Sequence, residues 1–165
     1  MKLIRKTKGN LLFHLGGSEK GLLRQLLELY PVLPPTHHKL SKTGKVPDPD
    51  AGQRLLEEAL AEQRKESKFR IEAFLTDNQR FQPAENGFRF SLSPAELDWL
   101  LQVLNDIRVG SWVRLGSPPT LELKVLDDTS AAHFWTMEVA GLFQMRFLAA
   151  LEGQTTPETP SAGAA

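Results

Sequence analysis

The sequence predicts a mainly α protein: a single-domain helical bundle of about four helices with a small N-terminal β-hairpin. Three observations predict it. Four stretches, near 18–30, 50–80, 94–115 and 128–151, repeat apolar residues at helical spacing. Only the first fifteen residues alternate in the looser way of paired strands, around a Gly9-Asn10 turn. Finally, 165 residues of which 41% are hydrophobic and 24% charged suit one domain with a sizeable core, over residues 1–151.

The elements follow in order. Residues 2–6 and 10–15 read as the two strands of the hairpin. In "GGSEKGLLRQLLELYP", Ser18 reads as an N-cap and Glu19 suits the positive helix end. Leu22, Leu23, Leu26, Leu27 and Tyr30 form a helical stripe that Pro31 stops. The double glycine lacks the Lys-Ser/Thr ending of a phosphate loop, so a strand-to-helix turn explains it better. Residues 31–50, rich in proline, read as a mobile surface loop. Residues 50–80 read as helix with a stripe of Leu56, Ala59, Leu60, Ile71, Phe74 and Leu75. The middle, Gln63 to Lys68, is polar, which leaves open one bridging helix or two broken near 65–67. "FRFSLSPAELDWLL" is the clearest local signal: Phe88 to Leu92 is extended, Ser93 caps a helix, Pro94 takes its first position, and Glu96 completes a capping box. That helix runs to about 115, ended by Gly116, Pro118 and Pro119. Residues 120–128 suit a short strand or a helical turn. One of Asp128, Thr129 or Ser130 opens a last helix to about Leu151, and 152–165 has the composition of a disordered tail.

Composition excludes several chemistries. There is no cysteine, hence no disulfide framework, thiolate zinc site or cysteine nucleophile. The N-terminus lacks the apolar core of a secretory signal, and no apolar run is long enough to span a membrane, so neither is expected. Residues 1–46 carry a net +7 and the remainder −7. A basic layer on an acidic body accounts for this. Nucleic-acid binding is the weaker alternative, because Lys2, Arg5, Lys6, Lys8, Lys39, Lys42 and Lys45 lack interleaved aromatic residues. His37 and His38 are adjacent in the loop, without carboxylates at ligand spacing. His14 and His133 stand without HExxH or GxSxG patterns, and Asp127-Asp128 reads as a helix cap. No metal, cofactor or catalytic residue is assigned, and a non-enzymatic protein is expected.

The helix over 94–115 carries the sharpest question. Its first half is amphipathic, with Leu97, Leu100, Leu101, Leu104 and Ile107 on one face and Asp98, Gln102, Asn105 and Asp106 opposite. Past residue 107, Arg108, Ser111 and Arg114 turn toward the apolar face, and Val109, Trp112 and Val113 toward the polar one. The last helix likewise has no continuous polar face. A helix apolar all round is central, and a charge inside it needs a partner. Glu138 is the acid available, so Arg108 or Arg114 is expected to pair with it, bidentately if geometry permits. The alternatives are an anion pocket, for a carboxylate or phosphate, formed by Arg108 and Arg114 with Asn105 and Ser111, or side chains that reach out to water. Two such helices also need covering, which points to a homodimer with Trp112 and Trp135 as candidate anchors.

"GLLRQLL" after the hairpin, "FRIEAFLTDN", "WLLQVLNDIRVGSWVRLG" and "GLFQMRFLAAL", in this order over most of residues 1–151, resemble a bacterial family known as domain of unknown function 2017. The chain departs from that pattern at 31–50 and 117–130. The resemblance implies a cytoplasmic, mostly helical protein with no established catalytic residues. Because members are often encoded near the adaptor of the Clp protease, it also implies a regulatory or adaptor role in protein turnover, through a protein partner. The functional alternatives that remain are an anion sensor at Arg108 and Arg114, and a DNA-binding regulator.

Overall fold

The computed structural model describes residues 1–39, 48–119 and 127–152. In chain order the elements are β1 (Lys2–Lys6), β2 (Leu11–Leu15), α1 (Gly17–Glu28), a 3-10 turn (Pro35–His37), α2 (Pro49–Thr76), β3 (Gln82–Ala84), β4 (Gly87–Leu92), α3 (Pro94–Arg114) and α4 (Asp128–Leu151). The mainly helical class holds. The sheet is larger than a hairpin: β1 and β2 are joined by a second hairpin, giving four antiparallel strands in the order β1-β2-β4-β3. β3 was illegible because Gln82-Pro83-Ala84 has no apolar alternation. A proline there is tolerated because β3 is an edge strand.

Period-two alternation builds the core side of the sheet. Leu11, Phe13 and Leu15 of β2 and Phe90 and Leu92 of β4 are all buried. Phe13 opposes Phe90, and their rings stack with centroids 5.4 Å apart. Phe147 of α4 meets Phe13 edge-on at 5.3 Å, so the last helix is seated on the centre of the sheet. At the β3–β4 turn Asn86 has φ 58°, and a Cβ at Gly87 would stand 2.1 Å from the carbonyl oxygen of Leu15. Only glycine allows β4 to begin there.

The cap at Ser93 matches expectation: its hydroxyl accepts from the Glu96 N–H at 3.1 Å, and the Ser93 N–H donates to the Glu96 carboxylate at 2.8 Å. Asp127 caps α4, accepting from the Ser130 N–H at 2.7 Å. At α1, Gly16 rather than Ser18 is the N-cap residue, and its N–H donates to the Glu19 carboxylate at 2.9 Å. Glu19 also contacts the guanidinium of Arg146 and the amino group of Met1, tying the N-terminal layer to α4. Burial opposes the ionisation of Glu19, but these donors outweigh it and hold the carboxyl below the ordinary range.

α2 is one helix of 28 residues. Only Ile71 and Phe74, near its C-terminal end, are buried. Its earlier turns are held instead by the segment after α1. Gln53 Nε2 donates to the carbonyl oxygen of His38 at 2.8 Å, and Arg64 Nη2 donates to His38 Nε2 at 3.0 Å. A guanidinium has no lone pair to offer, so the imidazole nitrogen is the acceptor. The stretch expected to be a mobile loop is thus packed over residues 31–39, with Leu33 buried; residues 40–47 lie outside the described residues. The expectations for 120–126 and for 153–165 also fall outside them.

The same segment explains how the apolar end of α3 is covered. Val32 crosses α3 at Gly110, where an added Cβ would lie 2.8 Å from the Val32 Cβ. A helix-interior glycine normally costs about 1 kcal/mol against alanine. Here the close crossing reverses the sign. Gly110→Ala is expected to destabilise by about 1–3 kcal/mol, as overpacked positions do. Gly21→Ala in α1, with nothing within 4 Å, is expected to stabilise by up to about 1 kcal/mol. Urea unfolding of the two variants checks the opposite signs.

Candidate functional site

α4 carries two ladders of residues at alternating spacings of four and three. The inner ladder is Thr136, Ala140, Phe143, Phe147 and Ala150, all buried against α3 and the sheet. The outer ladder, on the opposite side, is Ala131, Trp135, Glu138, Leu142, Met145, Ala149 and Glu152. All of it is exposed except the half-buried Ala149. Trp135, Leu142, Met145 and Leu148 on this side are 42%, 39%, 60% and 48% exposed. A groove of about 720 Å³ runs along it, bordered by Arg108 of α3 and by Glu138, Leu142, Met145 and Glu152 of α4.

The expected buried ion pair does not form. Arg108 and Glu138 are both exposed, and neither belongs to a salt bridge among the described residues. Arg108 instead lies across Gly141 and donates to Gln144 Oε1 at 3.4 Å. Arg114 is exposed as well, and its Nη2 donates to the carbonyl oxygen of Val32 at 3.2 Å. Six residues apart, the two arginines point about 120° apart on the helix. The proposed anion pocket therefore has no common centre. Ser111 is fully buried, its hydroxyl without a partner among the described residues, and it is closed off from a ligand at the surface.

Asn105 and Asp106 face a different place, a cleft of about 340 Å³ shared with Tyr30, Gln63, Ser67 and Trp99. Surrounding protein atoms desolvate the Asp106 carboxyl and push it up. The attraction of Arg64 and His38 opposes this without cancelling it. Arg64 was not singled out by sequence reading, and its signal was slight: a lone arginine in the polar middle of α2. The two tryptophans separate too. Trp112 donates Nε1–H to the Pro118 carbonyl oxygen at 3.3 Å and fastens the turn after α3, whereas Trp135 stands on the outer ladder.

Besides Arg146 with Glu19, a second guanidinium with a carboxylate partner in the body of the fold is Arg80. Its Nη2 lies 2.7 Å from Glu96 Oε1, its Nη1 donates to the Ser91 carbonyl oxygen at 3.1 Å, and it sits over the Phe74 ring at 5.1 Å. This clamps the start of α3 to the end of β4. Burial raises the Glu96 carboxyl, but Arg80 and the Ser93 N–H lower it further, with a net position below the ordinary range.

Among the described residues no helix is long and apolar enough to cross a membrane. Comparison with protein-family models, with curated proteins and with solved structures returns no match.

The Glu96 geometry makes a pH prediction. A carboxyl lowered in the folded state takes up a proton on unfolding, so its contribution is complete above the ordinary carboxylate range and is lost as pH falls through its folded value. Glu96→Gln keeps the capping hydrogen bonds but not the charge. Wild-type unfolding free energy is expected to fall more steeply than that of the variant between about pH 5 and pH 2. Urea titrations across that range, giving parallel slopes, would contradict the assignment.

Proposed function

We propose that this chain is a non-catalytic protein-contact module, with a regulatory or adaptor role, that works as a homodimer through the outer ladder of α4. The observation that carries the reading is that ladder itself. Four large apolar side chains stand exposed on one side of a helix whose other side already fills the core. Isolated exposed apolar residues are ordinary, but a contiguous apolar stripe on a helix marks a contact surface. The spacing of four and three is the spacing by which one helix seats another. A helix with no continuous polar face gains nothing from water on that side, and association removes the stripe from it.

A catalytic reading has less support. The histidines that make hydrogen bonds serve the fold: His14 Nε2 donates to the Glu85 carbonyl oxygen at 3.0 Å, and His38, beside His37, serves the α2 contact. Sensing of an anion by Arg108 together with Arg114 loses its basis because the two point apart.

Sedimentation velocity tests the proposal. At tens of micromolar the wild-type chain is expected to sediment at twice its 18.4 kDa mass. Met145→Asp, at an exposed position, is expected to return it to one chain with unchanged helical circular dichroism. A wild-type mass of one chain at that concentration would sink the proposal.

A further inference from the structure

We infer that the outer ladder of α4 is covered by the same ladder of a second copy, running antiparallel, with the two-fold axis beside Ala140. The inference rests on the proposed function and adds to it the arrangement of the pair and the role of two charged residues.

Helix arithmetic selects this register. An axis at Ala140 lies at the midpoint of Asp128–Leu151, so the helices overlap along their full length, about 36 Å for 24 residues. Trp135 then faces Met145 of the partner subunit, and the reciprocal contact repeats on the other side of the axis. An indole against a thioether is a favourable packing pair. Ala149 faces Ala131 of the partner subunit, so two small residues meet and the helices approach closely at each end. In the chosen register Glu152 stands opposite Asp128 of the partner subunit only at the exposed ends of the pair, whereas an axis moved to Met145 opposes Glu138 to Glu152 of the partner subunit and takes Glu138 away from Leu142. It also leaves Trp135 near the end of the overlap.

The charged residues fit the first register. The partner's Glu138 arrives opposite Leu142. At that level Arg108 lies across Gly141 and reaches Gln144, and among the described residues this 3.4 Å hydrogen bond alone holds its guanidinium. Each Glu138, set between Trp135 and Leu142 of the ladder, thus meets a cation of the other chain. Gly141 contributes by being small: a Cβ there would stand 3.7 Å from Arg108 Nε, and a larger side chain would displace the arginine from the seam. The arrangement is isologous, as a two-fold pair must be. Arg108 and Glu138 are positioning residues for the dimer, and they select this register against its neighbours.

The absence of cysteine makes the register directly measurable. Ala131→Cys and Ala149→Cys chains, mixed and oxidised, are expected to form the mixed disulfide, since a disulfide needs Cα atoms within about 7 Å. Met145→Cys alone is expected to form none, because its two copies stand about 15 Å apart along the axis. By sedimentation, Arg108→Glu is expected to weaken dimerisation by about tenfold or more, and adding Glu138→Arg to restore most of it. A Met145→Cys chain that links to itself, or a wild-type dimer indifferent to Arg108→Glu, would overturn the register while leaving α4 as the contact face. A wild-type chain that is monomeric would overturn the inference and the proposed function together. A dimer that survives Met145→Asp would place the contact elsewhere and overturn both.

Discussion

One constraint organises the structure: α4 is apolar on two opposite sides, and the described residues cover only one of them. The inner side, through Phe143 and Phe147, fills the space over the stacked Phe13 and Phe90 rings. α3 lies beside it, and the sheet and α1 close the remaining flanks. Among the described residues no element lies over the outer side. The described fold is therefore complete as a core and incomplete as a surface. That difference is the physical content of the proposed homodimer.

The capping signals were legible because each is local. Ser93, Pro94 and Glu96 act within one helical turn, and no distant contact is needed to satisfy them. The apolar residues of α1, β2, β4 and α3 were legible from periodicity for the same reason. What escaped was set by contacts between distant segments. Ser18 is a better cap residue than Gly16 by composition, yet the close of β2 places Gly16 at the helix start and Glu19 supplies the acceptor. β3 is a strand only because β4 pairs with it. α2 is unbroken across its polar middle because His38, from a segment that read as loop, engages Gln53 and Arg64.

The arginine question was half legible. A helical wheel shows which residues share a side of α3, but not which element covers that side. The apolar residues past Ile107 are covered in part by the segment holding Val32 and Leu33, which crosses at Gly110. That crossing leaves Arg108 at the border with α4 and Arg114 over the crossing chain. Neither guanidinium is buried, so neither needed Glu138. The role expected of Arg108 is shared by Arg146, paired with Glu19, and by Arg80, in a stretch with no apolar helical pattern to draw attention to it. Its carboxylate, Glu96, had been read correctly as a cap. That it serves also as an ion-pair partner depends on β4 returning beside the loop.

The position of Glu138 is the last step. A glutamate in the middle of an apolar ladder is unfavourable for any contact that buries it unpaired, because the desolvation of a carboxylate exceeds what neighbouring leucine and methionine contacts return. Within one chain it stays wet and costs nothing, consistent with its exposure and its lack of an ion pair among the described residues. On association the charge must find a cation or exclude the partner. Most helices laid on this ladder supply no cation at that height and are disfavoured. A second copy in the antiparallel register centred on Ala140 supplies Arg108 twice, once for each carboxylate. The same residue that would spoil a general hydrophobic docking surface thereby makes a selective one. In the proposed dimer it would limit adhesion to unrelated apolar helices while leaving the self-complementary pair intact.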